Sequence, residues 1–345
     1  LDDGGEVDLD FGHYERFLNI DCKRNWNLTS GKIFLSLVEK ERKGDFLGKT
    51  VQVVPHVTGE IRERFQQIAK AEHADIVLIE IGGTVGDIEN LWFLEACREL
   101  VRDVGKQNVL FMHLGLIPVI DKQGQQKTKP LQQSINILRE RGIFPEIIIG
   151  RSKELLTTKT KQKLHWLCNV EEGAVISDPD LASVYELPLI FAKEHMHEVI
   201  CRKLKLKEEK DLQQWKILVH RIKHPRHQVR IAVCGKYTEL ADSYISITEA
   251  LIHAGAHLNT HVKVTWIETS DIKSVKGAEK KLKNVHGVIV PGGFGSRGTE
   301  GKIRIIEYCR EHDLPFLGIC LGLQLAVIEF ARHMCALITP KTKSK

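Results

Sequence analysis

The sequence predicts an α/β fold in which helices cover both faces of parallel sheets. Two observations carry this prediction: short, continuously apolar runs of strand length, and amphipathic segments of helix length between them. The predicted strands are residues 51–55, 76–81, 109–114, 147–149, 229–234, 262–267, 287–290 and 315–319. The predicted helices are residues 59–72, 88–106, 131–141, 243–255, 299–312 and 323–333.

Length and a change of composition predict two domains. The chain has 345 residues, and domains commonly contain roughly 100 to 200. A stretch rich in Lys, Arg and His, KLKLKEEKDLQQWKILVHRIKHPRHQVR, separates two α/β blocks. We therefore predict a first domain at 1–204, a charged and partly helical linker at 205–229, and a second domain at 230–345.

The charge and cysteine content exclude several classes of protein. Fifty Lys and Arg against 45 Asp and Glu leave a formal charge of only +5, which argues against a nucleic-acid polymer as partner. The eight cysteines form no C-x-x-C pair and no signal-peptide pattern is present, so we expect reduced thiols in a cytoplasmic protein. The longest uncharged apolar stretch, 314–328, is shorter than the roughly 20 residues that span a bilayer, so we expect no membrane partner.

The segment Gly318-Ile-Cys320-Leu-Gly322 has the pattern of a nucleophile elbow. It follows an apolar run and precedes a helical pattern, and residues without side chains flank the cysteine, as a tight strand-to-helix turn requires. The start of a helix favours the thiolate form of a cysteine. The alternative is a small buried cysteine after a strand.

A glycine-rich loop, Pro291-Gly-Gly-Phe-Gly-Ser-Arg-Gly298, follows another predicted strand. Its backbone N–H groups are of the kind that stabilise an oxyanion, although an ordinary strand-ending turn remains the alternative. With Cys320, the loop predicts acyl transfer through a thioester. No general base is evident, because His333 lies roughly 20 Å along the same predicted helix, and His286 and His312 precede their strands.

The first domain contains acidic residues that suit a hard cation. Asp8 and Asp10 stand two apart, so an extended segment would direct both carboxylates to one side, where Mg²⁺ could bind. Glu80 lies in an apolar run before a glycine turn and two further acids, and a cation shared with Asp10 would offset the cost of burying it. A solvated acidic surface and a salt bridge from Glu80 to a lysine are the alternatives.

Lysines open a predicted helix in the segment Lys127-Thr-Lys-Pro-Leu-Gln132. Ammonium groups and free N–H donors at a helix start could hold a triphosphate, although lysines before a helix are common.

From residue 1 to about residue 333 the chain resembles the CTP synthase family. The resemblance rests on ordered motifs, among them DGGEVDLDFGHYERF, KERKG, TVQVVPH, EIGGTVGDIE, KTKP, PGGFG and LGICLG. It implies two doubly wound, mostly parallel domains: a P-loop-type amidoligase domain and a class I glutamine amidotransferase domain. In the family, ATP phosphorylates the uracil 4-oxygen of UTP, and ammonia released from glutamine then displaces the phosphate.

The resemblance also implies site residues, cofactors and partners. Cys320 would be the nucleophile, Gly293 an oxyanion donor, and Asp10 and Glu80 the Mg²⁺ ligands, with Asp10 also near ATP. The glutamine contacts would be Leu321, Gly322, Leu323 and Gln324; the contacts to UTP, and to CTP as feedback inhibitor, would be Asp87, Ile88, Glu89, Lys127, Thr128, Lys129, Pro130, Leu131, Gln132 and Lys163. Residues 296–301 would correspond to a mobile lid linked to GTP activation, and the assembly would be a homotetramer.

Departures from the family pattern lead to a further expectation. The family's glycine-rich phosphate loop ending in Gly-Lys-Gly and its C-terminal His-Pro-Glu motif are absent from this sequence, and Leu131 replaces a usual Thr. We therefore expect both domains to be truncated and the polypeptide as written to make no CTP. The main alternative is a non-catalytic, nucleotide-binding regulatory or interaction protein; a stand-alone glutaminase and a relative of cobyric acid synthase are weaker ones.

Overall fold

The computed structural model describes residues 1–120, 124–208, 211–235, 241–293 and 297–335. The chain divides into two compact units, Leu1–Asp211 and Leu212–Lys345. Among the described residues, no helix is long and apolar enough to cross a membrane.

The first unit contains helices before and around a small sheet. Its helices are α1 (Asp10–Leu18), α2 (Ser30–Lys43), α3 (Thr58–Ala71), α4 (Leu91–Val104), α5 (Lys129–Glu140), α6 (Thr158–Cys168), α7 (Leu187–Lys193) and α8 (Met196–Leu204). Its strands are β1 (Met112–Leu116), β2 (Ile147–Ser152) and β3 (Val175–Pro179), which pair in parallel in the order β1-β2-β3.

Successive residues of β2 supply the cores on the two faces of this sheet. Ile148 packs with Leu131 of α5 and Leu164 of α6, whereas Ile147 packs with Met196 of α8. This alternation follows from the pleat of a strand, which directs neighbouring side chains to opposite faces. The sheet is therefore the middle layer between α5 and α6 on one face and α8 on the other.

The second unit is an open parallel sheet with a reversal in strand order. It contains α9 (Gln213–Lys223), β4 (His227–Gly235), α10 (Ile245–His257), β5 (Thr260–Glu268), α11 (Val275–Lys281), β6 (Gly287–Val290), α12 (Thr299–Glu311), β7 (Phe316–Gly318) and α13 (Leu321–His333). The strands pair in parallel in the order β5-β4-β6-β7. The chain moves to one side of β4 and then to the other, so this unit is doubly wound and has its crevice at the carboxyl ends of the strands.

The α/β prediction with parallel sheets is confirmed, with corrections to particular elements. Two predicted strands are wrong. Residues 53–55 of the first, 51–55, belong to a short π-helical turn (Val53–Val57), and residues 76–81 pair with no described strand. Pro55 lacks the N–H that a sheet ladder needs, and an apolar run becomes a strand only if a neighbour pairs with it. The described strands of the first unit progress in one direction, so the predicted double winding is seen only in the second unit.

Candidate active sites

Cys320 lies at a sharp turn between β7 and α13. It is exposed and has φ 52° and ψ −108°, a backbone conformation that residues with a side chain rarely adopt. The next residue begins α13, so the thiol lies at the N-terminal end of that helix. This is the geometry expected of a nucleophile elbow.

The two glycines that flank Cys320 are needed because backbone segments approach closely there. A Cβ on Gly322 would lie 2.0 Å from the carbonyl oxygen of Val290, and one on Gly318 would lie 2.6 Å from the carbonyl carbon of Gly322. Ile319 N–H also donates to the Val290 oxygen at 3.0 Å. The spacing of the glycines therefore reflects tight packing of the turn against β6.

The described part of the glycine-rich loop lies beside Cys320. A Cβ on Gly292 would be 3.4 Å from the Cβ of Cys320 and 3.9 Å from its Sγ. Gly293 follows directly and approaches the Nζ of the buried Lys302, 3.7 Å from where its Cβ would lie. Residues 294–296 of the loop, which include part of the predicted lid, lie outside the described residues.

The remainder of the predicted lid overlaps the helix predicted at 299–312, and the structure has that helix. Residues 299–301 form the first turn of α12, and Gly298 precedes that helix with φ 76°. A Cβ on Gly301 would lie 1.9 Å from the carbonyl oxygen of Thr269, so the helix start is packed closely against the chain after β5. Among the predicted glutamine contacts, Leu323 and Gln324 are exposed, whereas Gly322 is buried and Leu321 packs against the core.

The three histidines considered as bases have other partners. His333 is 3.1 Å from Glu329 and 3.5 Å from Glu307, His286 Nδ1 accepts from the Arg230 N–H, and His312 contacts the Tyr308 carbonyl. Within the described residues, no hydrogen bond joins Cys320 Sγ to a histidine. Most other cysteines are buried, and burial raises the pKa of the Cys97 and Cys309 thiols to about 12.

Asp10, Tyr14 and Glu80 come together in the first unit. Asp10 begins α1 and Tyr14 lies one turn later, so both side chains face the same way. The Tyr14 hydroxyl donates a short hydrogen bond to Glu80 Oε2. Burial, the bond to Glu80 and the charges of Glu80 and Asp10 raise the pKa of Tyr14, so the phenol remains a donor.

Two premises of the sequence analysis at this site are wrong. Glu80 and Asp10 are exposed, so the cost of burying a carboxylate does not bring a cation here. Leu9 and Asp10 have helical backbone conformations, so the extended segment that would direct the Asp8 and Asp10 carboxylates to one side is not formed. The residue that sequence reasoning missed is Tyr14, and its signal was the spacing of four from Asp10.

The glycine turn after Glu80 is held by side chains of its own segment. Thr84 N–H donates to Asp87 Oδ2 at 3.3 Å, and the buried Asn90 donates to the Thr84 carbonyl at 2.8 Å. Gly86 has φ 107° and lies 3.6 Å, measured from its Cβ position, from Ile137 of α5. Asp87, Ile88 and Glu89 therefore lie on a turn that packs against α5, with Ile88 and Glu89 exposed.

The segment 127–132 spans the start of α5. Lys129 and Pro130 are exposed, whereas Thr128 is buried and its hydroxyl accepts from Gln132 Nε2 at 2.7 Å. Lys127 Nζ donates to the Gln125 side chain. Leu131 is 1% exposed and belongs to the core, so its side chain is not available to a nucleotide.

Lys163 is on the helix next to α5. It is exposed in the second turn of α6, which shares a core with α5. The Gln126 side chain joins the two helix starts, because it donates to the Leu155 carbonyl and accepts from Thr157 N–H, both at 3.0 Å. Lys129, at the start of α5, and Lys163, in the second turn of α6, therefore lie on helices that follow the carboxyl ends of neighbouring strands, β1 and β2.

Comparison with known proteins matches a family model to each unit. Residues 1–206 match the family described as CTP synthase N-terminus, and residues 239–345 match the glutamine amidotransferase class-I family. The chain belongs to the CTP synthase family. This confirms the resemblance inferred from the motifs.

CTP synthase relatives from distant organisms are similar over nearly the whole chain. The CTP synthase of Borreliella burgdorferi is 49% identical over 99% of this chain and 64% of that protein, and the one of Methanococcus maripaludis is 49% identical over 99% and 65%. The chain thus spans slightly less than two thirds of these relatives. The solved Trypanosoma brucei CTPS glutaminase domain with bound acivicin is 34% identical, covers 30% of this chain and 41% of that chain, and superposes with a TM-score of 0.29.

The Asp10 and Glu80 side chains are ligands of the kind that fit Mg²⁺. Both are carboxylates, the oxygen ligands that this ion takes, and both are exposed near the same phenol. The hydrogen bond from Tyr14 uses Oε2 of Glu80 and leaves Oε1 for an ion.

Proposed function

We propose that this chain serves the ATP-dependent amination of UTP to CTP, with ammonia from glutamine. The observation that carries the proposal is the similarity to CTP synthases over both units, together with a cysteine at an elbow in the unit that matches the amidotransferase family. No observation favours the non-catalytic alternative more strongly.

In the first unit the chain would bind and orient the nucleotides. Mg²⁺ held by Asp10 and Glu80 would supply charge stabilisation to the phosphates that react. Tyr14 would fix the direction of the Glu80 carboxylate. The exposed Lys129 and Lys163 would bind the UTP triphosphate and that of CTP as feedback inhibitor, because ammonium groups attract phosphate.

In the second unit Cys320 would attack the amide carbon of glutamine. The thiol sulfur forms a bond to that carbon, and ammonia leaves as the thioester forms, which water then hydrolyses to glutamate. Backbone N–H groups of the loop at Gly292 and Gly293, and of Leu321, would receive the developing negative charge on the amide oxygen. The exposed Leu323 and Gln324 would contact the substrate.

The proposal extends to features that rest on the family relationship alone. These are GTP as allosteric activator, a homotetrameric assembly and a cytoplasmic location. We also propose that 1–204 is the amidoligase domain, 205–229 the linker and 230–345 the amidotransferase domain.

Calorimetric titration of the chain with UTP and CTP, in the presence of Mg²⁺, tests the nucleotide part. Lys129→Ala and Lys163→Ala should each weaken binding of both nucleotides by about tenfold, because each removes a charge-assisted contact to phosphate. Lys281→Ala, at the end of α11 in the other unit, is the matched control and should leave binding unchanged. Equal affinity in all variants would contradict the proposed site.

Labelling with an electrophilic glutamine analogue, such as a chloroketone, tests the glutamine part. The analogue should alkylate Cys320 and free glutamine should slow the reaction, whereas the exposed Cys335 should react at a rate that glutamine does not change. Equal rates at both cysteines, insensitive to glutamine, would refute a glutamine site at Cys320.

A further inference from the structure

A second cluster of titratable side chains lies at the start of α8 and uses none of the residues assigned above. His197 Nε2 is 3.1 Å from Glu208 Oε1 and 3.7 Å from Glu198 Oε1. The three possible ligand atoms lie within 4.8 Å of one another. His195 Nδ1 is 2.6 Å from the same oxygen of Glu198.

The backbone explains why residues on either side of α8 meet. His197 and Glu198 lie in the first turn of the helix, which ends at Leu204. Lys205 then has the left-handed conformation, φ 55°, and Leu206 N–H donates back to the Cys201 carbonyl at 2.8 Å. The chain therefore reverses after the helix, and Glu208 returns to the imidazole of His197.

The two ring nitrogens of His197 have different surroundings. Its Nδ1 is enclosed by protein and has no hydrogen-bond partner among the described residues, so Nε2 is the ring nitrogen that faces other groups. Two carboxylate oxygens approach that one nitrogen. Such close carboxylates repel each other unless a cation lies between them, and either an imidazolium or a metal ion provides one.

We propose that His197, Glu198 and Glu208 form a binding site for Zn²⁺, with water as a fourth ligand. Bonds of about 2.0 to 2.2 Å in a tetrahedral site imply distances of about 3.3 to 3.6 Å between ligand atoms. The distances of 3.1 and 3.7 Å from His197 Nε2 lie on either side of that range, and the two carboxylate oxygens lie within 4.8 Å of each other, so side-chain rotations would bring the three atoms to tetrahedral spacing. Two carboxylates and a neutral imidazole also balance the charge of the ion.

His195 is a positioning residue for this site. It donates to the Glu198 carboxylate and so fixes the direction of one ligand, as partners of metal ligands commonly do. Its backbone has φ 60° immediately before α8, which places its ring next to Glu198 three residues later.

Titration of the full chain with Co²⁺ as a spectroscopic probe, followed by displacement with Zn²⁺, tests the proposal. The background is Cys320→Ser with Cys335→Ser, so that exposed thiols do not bind the probe, and millimolar Mg²⁺ occupies the proposed Asp10 and Glu80 site. We expect one equivalent of Co²⁺ with the intense visible absorption of four-coordinate cobalt. His197→Gln and Glu208→Gln should each weaken its affinity by tenfold or more, and His195→Gln by a smaller factor.

The matched control is the pair His220, in the last turn of α9, and His224, directly after that helix, with ring centroids at 5.0 Å. This pair lines a pocket with Lys216 and Arg221, and among the described residues no carboxylate contributes to that lining. The double variant His220→Gln with His224→Gln should bind Co²⁺ with unchanged affinity. Absence of the four-coordinate spectrum, unchanged affinity in His197→Gln, or loss of binding only in the α9 variant would overturn the proposal; none of these results bears on nucleotide binding.

Discussion

The backbone of Cys320 predicts that this position is strained. With φ 52° and ψ −108°, it has a conformation that glycine adopts easily and other residues do not. We therefore expect the variant Cys320→Gly to be more stable than Cys320→Ala. The comparison uses two variants that both lack the thiol, so the loss of sulfur contacts cancels.

The size of the difference follows from two opposing effects. Relief of strain at one residue is worth about 1 to 3 kcal/mol. Glycine also increases the freedom of the unfolded chain, which costs about 0.5 to 1 kcal/mol. Glycine should therefore be favoured at Cys320 by up to about 2.5 kcal/mol.

The urea dependence of hydrogen exchange in peptides that cover β6 (Gly287–Val290) measures the unfolding of this unit selectively. Lys280, exposed near the end of α11, is the control, because its helical backbone gives glycine no advantage. There, glycine should be less stable than alanine by about 0.5 to 1 kcal/mol. If alanine is also the more stable residue at Cys320, the elbow is not strained and the reasoning fails.

Three further predictions follow from contacts in the two units. Tyr14→Phe should weaken binding of Mn²⁺, followed by electron paramagnetic resonance, by about 3- to 10-fold, because one hydrogen bond to Glu80 is lost; a larger loss than in Glu80→Gln would contradict a positioning role. Burial by itself would raise the pKa of Glu60, but hydrogen bonds from Lys40, Ser36 and Arg64 outweigh burial and lower that pKa. The ionised Glu60 therefore stabilises the fold fully above the pKa of an unfolded glutamate, and this stabilisation is lost as pH falls through the lowered pKa of the folded state. Glu60→Gln should thus reduce the unfolding free energy by about 1 to 3 kcal/mol at pH 7 and by less at pH 3, and an equal loss at both pH values would contradict this. Gly322→Ala should destabilise the second unit by about 3 kcal/mol or more, measured by the same exchange method, because its Cβ would collide with the Val290 oxygen; a change under about 1 kcal/mol would show that the turn can relax.

The elbow at Cys320 was predictable because its signals are local. An apolar run, two glycines four residues apart and a helical pattern lie within one short segment, and the structure has β7, the turn and α13 there. The contact between Tyr14 and Glu80 was not predictable, because 66 residues separate them and only the folded chain brings them together. The sequence even favoured an extended segment where α1 begins.

Strand prediction failed where a strand depends on a partner. Residues 76–81 have the composition of a buried strand, yet Ile76 and Leu78 are 55% and 71% exposed. The strand β3 was missed because its composition is unlike that of a buried strand: its sequence VISDP contains a charge and a proline. It is nevertheless fully buried and pairs with β2. Composition reports what a segment prefers, whereas pairing decides what it forms.

Different features of the fold determine where the proposed site residues lie. Lys129 and Lys163 follow strands of the first sheet, and Gly292 and Cys320 follow strands of the second. Within each parallel sheet the carboxyl ends of the strands share one edge, so errors of a few residues in strand bounds do not separate the members of either pair. Glu80 has no such support, because no described strand pairs with its segment. Its place beside Asp10 depends on the single hydrogen bond from Tyr14, so the Tyr14→Phe variant tests the metal-binding part of the proposal more directly than any change at the lysines.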